Sequence, residues 1–306
     1  MKQSIYLLNC AFCLIFIFCL FSTGCTRHPF YHKKQNILLN LKKKIGIAQF
    51  DNRTKVITDA SMEYFYQQII SDMETFNSSL QFLKTEGKTE ILQKSTLLLS
   101  ADHIDRQTLI KTARKKGYQA VIWGIVNDIN VVSIKKGIPF FRKEKKHIRC
   151  RGEFSLFDCE TSSKIWFSPI NETYLFDNLF APHLKKQPVL DDQTIKTVLS
   201  KLSKKIAQEM CEQLKMEPWK GFIIENNHNE YLISSGMQSG IVEHMTFDVI
   251  GSMGTLSGIY GQKYFVPGNP IGRIQIISVD EKTSKASSLY GNQLENSISI
   301  QYINHQ

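Results

Sequence analysis

The residue with the most definite chemistry in this 306-residue chain is Cys25. The run CAFCLIFIFCLF, residues 10–21, carries no charge and ends in Ser22-Thr23-Gly24-Cys25. Lys2 supplies a basic start and the run an apolar centre within the 7–15 residues, roughly, of an export signal. It falls short of the ~20 apolar residues that a membrane span needs. Small residues just before the cysteine leave that peptide bond open to a signal peptidase, and the freed thiol can then carry acyl chains. Each buried CH₂ of such a chain contributes ~0.8 kcal/mol to anchoring. The bacterial lipoprotein pattern places leucine three residues before the cysteine; here Ser22 stands there, with Leu20 two places further back. Two other readings share the pattern: plain cleavage with Cys25 incidental, and an uncleaved apolar anchor starting near Ile5. Thr26, not aspartate, follows Cys25, which resembles signals sorted to the outer membrane.

The remaining reactive side chains form no catalytic set. Cys10, Cys13 and Cys19 leave with the leader, so Cys150, Cys159 and Cys211 remain beside Cys25. There is no C-x₂-C, and the eight histidines are scattered, so no metal site is expected. Cys150 and Cys159 are an odd number of residues apart and would face opposite ways on a simple strand. A disulfide and a pair of small buried residues both stay open. Asp158 and Glu160 read as the solvated carboxylates of a hairpin turn. No G-x-S-x-G, H-E-x-x-H or P-loop occurs. GTLSGIYGQKYFVPGNPIG, residues 254–272, lacks a strand-to-helix setting and reads as loop and hairpin turns. No catalytic, cofactor or metal-binding residues are expected, and the chain is not expected to be an enzyme.

One basic segment could meet a surface. Lys135, Lys136, Phe140, Phe141, Arg142 and Lys143 combine cations with two adjacent aromatics, suited to lipid phosphates and the membrane interface. The alternative is a solvated hairpin tip with both rings folded back. Net charge is +10, and +9 once Lys2 is removed. An exported basic protein is drawn to anionic head groups, and nucleic acid is not an expected partner.

Hydrophobic residues are 42% of the chain, enough for an ordinary core around these groups. IGIAQF, residues 45–50, reads as a buried strand. Met62, Phe65, Tyr66, Ile69, Ile70, Met73 and Phe76 share one helical face. A second helix has Asp105 as N-cap, Ile104 and Leu109 as a hydrophobic staple, and Gly117 as its C-terminal glycine. AVIWGIV, residues 120–126, is apolar on both faces and so needs cover on both. IRCRGEFSLFDC and KIWFSPI read as a hairpin across residues 160–163. A last helix spans about Asp191 to Lys215, with Ile195, Val198, Leu199, Leu202, Ile206, Met210 and Leu214 as its stripe, and Pro218 closes it. From Trp219 the period is near two: KGFIIE, NEYLISS, MTFDVIG, IGRIQIISVD, SKASSLY and SISIQYI are separated by turn residues that include Pro267-Gly268-Asn269-Pro270.

The segments KKIGIAQFDNRT, ARKKGYQAVIWGIVNDI and FSLFDCETSSKIW resemble the α/β domain of the curli-secretion lipoprotein and the amino-terminal domain of the Tol-system propeller protein. The likeness covers about Lys42 to Met216. The two long pore hairpins of the curli channel have no room in this reading, and pore formation is not carried over. LISSGMQSGIVEHMTFDVIG and PIGRIQIISVDEKTSKASSL resemble the carboxy-terminal domain of flagellar assembly protein T, with Glu243-His244 where that pattern prefers glycine. That family's further amino-terminal domain has no counterpart before Lys42.

The expected class is α+β. Residues 1–24 are a lipoprotein signal and 25–40 a tether. Residues 41–216 form an α/β three-layer-type domain with a mixed sheet, and 219–306 a small SH3-like β-barrel. The resemblances imply a lipid-anchored outer-membrane scaffold facing the periplasm, assembling a flagellar basal-body ring with other envelope proteins or with copies of itself. A lipoprotein of a curli-like secretion or polysaccharide-export system, and a periplasmic hydrolase, are the alternatives.

Overall fold

The computed structural model describes residues 41–82, 84–85, 88–89, 91–92, 106–138, 140, 142–175, 190–227, 230–259, 261–291, 294 and 299–302. Cys25, Ile104, Asp105 and Phe141 lie outside them. Chain order begins β1 (Lys43–Ala48), β2 (Asp51–Asn52), α1 (Asp59–Phe76), β3 (Leu80–Phe82), β4 (Lys84–Thr85), β5 (Lys88–Thr89) and β6 (Ile91–Leu92). It continues through α2 (Arg106–Lys115), β7 (Ala120–Lys136), β8 (Lys143–Asp158), β9 (Lys164–Leu175) and α3 (Asp192–Met216). The rest is β10 (Lys220–Gly221), β11 (Ile223–Asn227), β12 (Glu230–Ile233), a 3₁₀ turn (Met237–Ser239), β13 (Thr246–Ser257), β14 (Lys263–Val279), β15 (Ser284–Tyr290) and β16 (Ser299–Gln301).

The expected helical stripes are the buried ones. In α1, Met62, Phe65, Tyr66, Ile69, Ile70 and Met73 face the core. Thr58 caps this helix by accepting from the Ser61 amide at 3.2 Å. In α3 every residue of the stripe is buried, and Asp191 caps the helix by accepting from Thr194 N at 2.7 Å. These two helices lie together on one face of the first sheet and share one core with Ile45, Ile47, Ile122, Phe154 and Leu156. The opposite face carries Ile110 and Ala113 of α2, packed with Tyr118, Val121, Phe157 and Cys159. That is why residues 120–126 could be apolar on both sides. Gly117 ends α2 at φ +80°, the left-handed cap expected of it.

The first sheet runs β3-β1-β7-β8-β9, with β1 parallel to β3, β6 and β7, and β7, β8 and β9 antiparallel. It is mixed and covered by helices on both faces. The β7–β8 hairpin is longer than its sequence reading, reaching from Ala120↔Asp158 to Lys136↔Lys143.

The second sheet is antiparallel and runs β10-β16-β13-β14-β15-β12-β11. Five of the six expected strands are present as single strands; KGFIIE is instead broken at Phe222 into β10 and β11. No closed barrel is found among the described residues, because the order ends at β10 and at β11. Those two ends are successive in the chain, separated only by Phe222, so one kinked segment borders the sheet on both sides. The residues expected as loop and turns between 251 and 270 instead extend β13 and β14 into a long ribbon. Register shifts at Val249/Ile250, Ile250/Ser252 and Ser252/Gly254 let the ladder pass Gly268, Pro267 and Pro270. A bulge leaves a residue unpaired, which is where a strand tolerates proline or glycine.

The three described cysteines are free and buried. Cys150 lies within β8 and Cys159 just beyond its end; nine residues of strand set them roughly 30 Å apart, which rules out a disulfide. All the described residues fall in one compact unit, Leu39–Gln306. Among them no helix is long and apolar enough to cross a membrane.

Candidate functional site

Three features stand out from the packed layers: a buried ionic cluster where the two sheets meet, and two ribbons that leave the body. The cluster begins in the turn after β8. Asp158 builds that turn by accepting from Thr161 N at 2.8 Å and Thr161 Oγ1 at 2.7 Å. Lys220, on the short strand β10, places its ammonium 3.0 Å from Asp158 and 2.8 Å from Glu160. The three side chains are 4%, 1% and 7% exposed for Asp158, Glu160 and Lys220. Ser299 of β16 donates to Glu160. Burial works to lower the Lys220 pKa, and the two carboxylates outweigh it, holding the ammonium above the usual lysine range. The expectation of solvated turn carboxylates is therefore wrong. The second sheet covers the turn, and it brings the cation with it.

Around the cluster the sheets are stitched by specific bonds. The Lys220 amide donates to Gln119 Oε1 at 3.1 Å, and Gln119 Nε2 donates to Pro218 O at 2.6 Å. Lys42 N donates to Ser239 O at 2.9 Å, and Trp219 Nε1 to Lys42 O at 3.1 Å. Arg114 lies over the rings of Phe222 and Phe265, 5.7 and 5.1 Å from their centroids. Lys44 donates to Ser234 O across the same junction. Its pKa is lowered to about 8, first by burial and then by Lys282. Lys43 donates to Leu214 O and Glu217 O and is also lowered to about 8, chiefly by burial. A Cβ on Gly117 would stand 2.4 Å from the Ser234 Cβ, so this glycine also admits the second sheet. Closed to water, the cluster is suited to fixing two layers together; it offers no reactive group to solvent.

The expected surface residues gather at one place, the tip of β7–β8. Lys136 and Lys143 form its last rung, with Lys135 and Arg142 exposed beside it. Phe140 is 101% exposed at φ +78°, so its ring is not folded back. Ile138 is exposed next to it. The second ribbon was missed by sequence reasoning. Beyond Ile250, β13 pairs with β14 alone among the described residues, and the turn closes through Gly258 N to Gln262 O at 2.7 Å and Gly261 N to Gly258 O at 3.0 Å. Its tip exposes Leu256 and Ile259, and Met253 is exposed further back, on the body side of the Thr255↔Phe265 rung. The signal available was glycine at 254, 258 and 261 with apolar residues between, a pattern equally consistent with a loop. Among the described residues no three His, Cys, Asp or Glu side chains stand where they could hold a metal.

No family model matches the chain, and no curated protein matches it. Solved structures do. The PelC dodecamer from Paraburkholderia phytofirmans is 12% identical at a TM-score of 0.31, covering 56% of this chain and 88% of that one. Hypothetical protein CT253 from Chlamydia trachomatis is 10% identical at 0.37, over 57% of this chain and 99% of that one. Lipoprotein GNA1162 from Neisseria meningitidis is 9% identical at 0.27, over 54% and 98%. With every TM-score below 0.5, these likenesses carry no argument about the role of this chain.

Proposed function

We propose that this chain is a lipid-anchored scaffold of the cell envelope, held at the outer membrane through Cys25 and facing the periplasm. In its most specific form it assembles a flagellar basal-body ring. The observation that carries the proposal is the apolar run ending in Ser-Thr-Gly-Cys, followed by a tether and a body. What supports a scaffold role is the cross-linked junction of two sheets, which presents exposed edges and ribbons in a fixed geometry. The contact surfaces assigned to partners are the edge strand β9 and the loops of the second sheet. The second sheet is read as a partly open, SH3-like barrel, and the body acts without catalysis. The long β7–β8 and β13–β14 ribbons favour one second reading, a subunit of a secretion or export assembly.

Cys25→Ala tests the anchor. The wild-type chain is expected to incorporate radiolabelled palmitate and to sediment with membranes, and the variant to lose the label and become soluble. Equal labelling of the two would sink the anchor. A deletion strain with normal flagellar assembly and rotation would remove the flagellar form and leave the export form.

A further inference from the structure

The end of the β13–β14 ribbon is an apolar arm. Among the described residues β16 pairs with β13 at Asp248–Ile250 and β15 with β14 from Arg273 onward, and the β13–β14 ladder continues beyond both to Ser257↔Lys263. Met253, Leu256 and Ile259 are 74%, 63% and 96% exposed. Residues 251–266 contain a single charge, Lys263, and no carboxylate. Exposed apolar side chains gathered on one projection mark a contact surface rather than ordinary scatter.

The arm's position says what covers it. Phe265 N donates to Thr161 O at 3.0 Å, so the ribbon crosses the turn that follows β8. Asp158 pairs with Ala120, and Ala120 with Ile45. Thr161 and Lys42 therefore lie at the same end of the first sheet, and Lys42 is where the chain enters the body. The seventeen residue steps from Cys25 to Lys42 span at most ~60 Å. The β7–β8 tip stands at the other end, roughly 50 Å further along β7. An acylated Cys25 limits how far this end can move from the bilayer. A second contact at the same end would fix its orientation.

We propose that the tip of the β13–β14 ribbon is a membrane-interface element. Leu256 and Ile259 enter the boundary between head groups and acyl chains, and Lys263 meets lipid phosphate at the base of the turn. This rests on the lipid-anchor reading of Cys25. The lack of carboxylates in the ribbon removes the repulsion that anionic head groups would otherwise exert.

The test uses the whole chain from residue 25 carrying Cys25→Ser, so that no acyl chain contributes. Vesicles of phosphatidylethanolamine and phosphatidylglycerol, about 3:1, are the probe. The protein should float with them and stay bound at about 0.5 M NaCl, where surface charge attraction is screened. An Ile259→Trp variant should show vesicle-dependent blue-shifted emission over the signal of the native tryptophans. Leu256→Asn with Ile259→Asp should lower vesicle partitioning at least about tenfold, with the urea midpoint unchanged. The proposal is overturned if vesicles leave the emission of the Ile259→Trp variant unchanged. It is equally overturned if that emission shifts with protein concentration alone, which would assign the arm to a second copy. It also fails if Lys135→Glu with Arg142→Glu abolishes flotation while the arm variant floats normally. Labelling of the wild-type chain decides the anchor separately: a chain without label whose arm still inserts would lose the anchor and keep the arm.

Discussion

Replacing Lys220 with methionine removes the ammonium that Asp158 and Glu160 share and keeps a side chain of similar length. At the observed separations each pair is worth about 6 kcal/mol of attraction at an effective dielectric near 20. Taking three ions out of water costs several kcal/mol each, so the intact cluster nets close to zero. The variant is different. It loses the attraction and leaves two carboxylates under cover, and breaking a buried pair in this way costs ~3–5 kcal/mol. Urea unfolding at pH 7 should show the midpoint falling with the slope unchanged. The triple variant Lys220→Met, Asp158→Asn, Glu160→Gln should recover most of the loss, because no charge is then buried and Thr161 keeps an acceptor. A loss below ~1 kcal/mol in the single variant would refute the reasoning, as would a triple variant no more stable than the single.

The lysines at the same junction predict a pH dependence. Lys43 and Lys44 titrate near 8 in the fold against 10.5 in the open chain, so the folded state releases protons first and stability rises with pH above 8. Each can contribute up to about 1.36 kcal/mol per pH unit. Burial pushes Cys150 up to about 12 and Cys211 to about 11, and that contribution is lost as pH rises above 9. The window is therefore pH 8–9, where Lys44→Met should flatten the slope of a urea series; an unchanged slope counts against the buried charge. Gly117 and Gly261 share a φ near +80°, but only Gly117 has Ser234 against it. Gly261→Ala should cost ~1 kcal/mol and Gly117→Ala at least ~2–3; equal losses would show that the close approach relaxes. His244 sits at φ +68°, in the left-handed region. Replacing it with glycine should leave thermal stability unchanged or raise it by up to ~1 kcal/mol, and His244→Val should lower it by ~1–2.

What was legible in the sequence depended on how local the signal was. The stripes of α1 and α3 repeat every three or four residues, and burial followed them at every position but Phe76, which is half-buried at the end of α1. Gly117 was legible as a cap because the left-handed end of a helix is a local demand; its second partner, Ser234, belongs to the other half of the chain. His244 stands at φ +68°, a backbone demand that its residue type does not announce. The Asp158–Lys220 pair joins residues sixty-two positions apart. Two carboxylates in a short turn look solvated until something is known to cover them. The β13–β14 ribbon was read as turns because glycine and proline usually break strands, whereas bulges let the ladder carry them.

The buried cluster and the apolar arm are mechanically linked. Asp158 holds Thr161 by its amide and hydroxyl, and the carbonyl of that same Thr161 accepts the amide of Phe265 on the arm. Arg114, at the end of α2, spans the rings of Phe222 and Phe265 and clamps the base of the ribbon from the other side. The cation of β10 thus reaches the arm through three contacts: Lys220 to Asp158, Asp158 to Thr161, Thr161 to Phe265. A ribbon of two strands has little rigidity of its own, since its outer edges are unpaired. Its direction must come from where its base is held. An ionic cluster worth nothing net in stability is then still able to set orientation, because its partners fit only in one register. The arm of the Lys220→Met protein should accordingly lose its fixed direction before the body unfolds, so its vesicle contact should weaken at urea concentrations where the far-ultraviolet spectrum is still native.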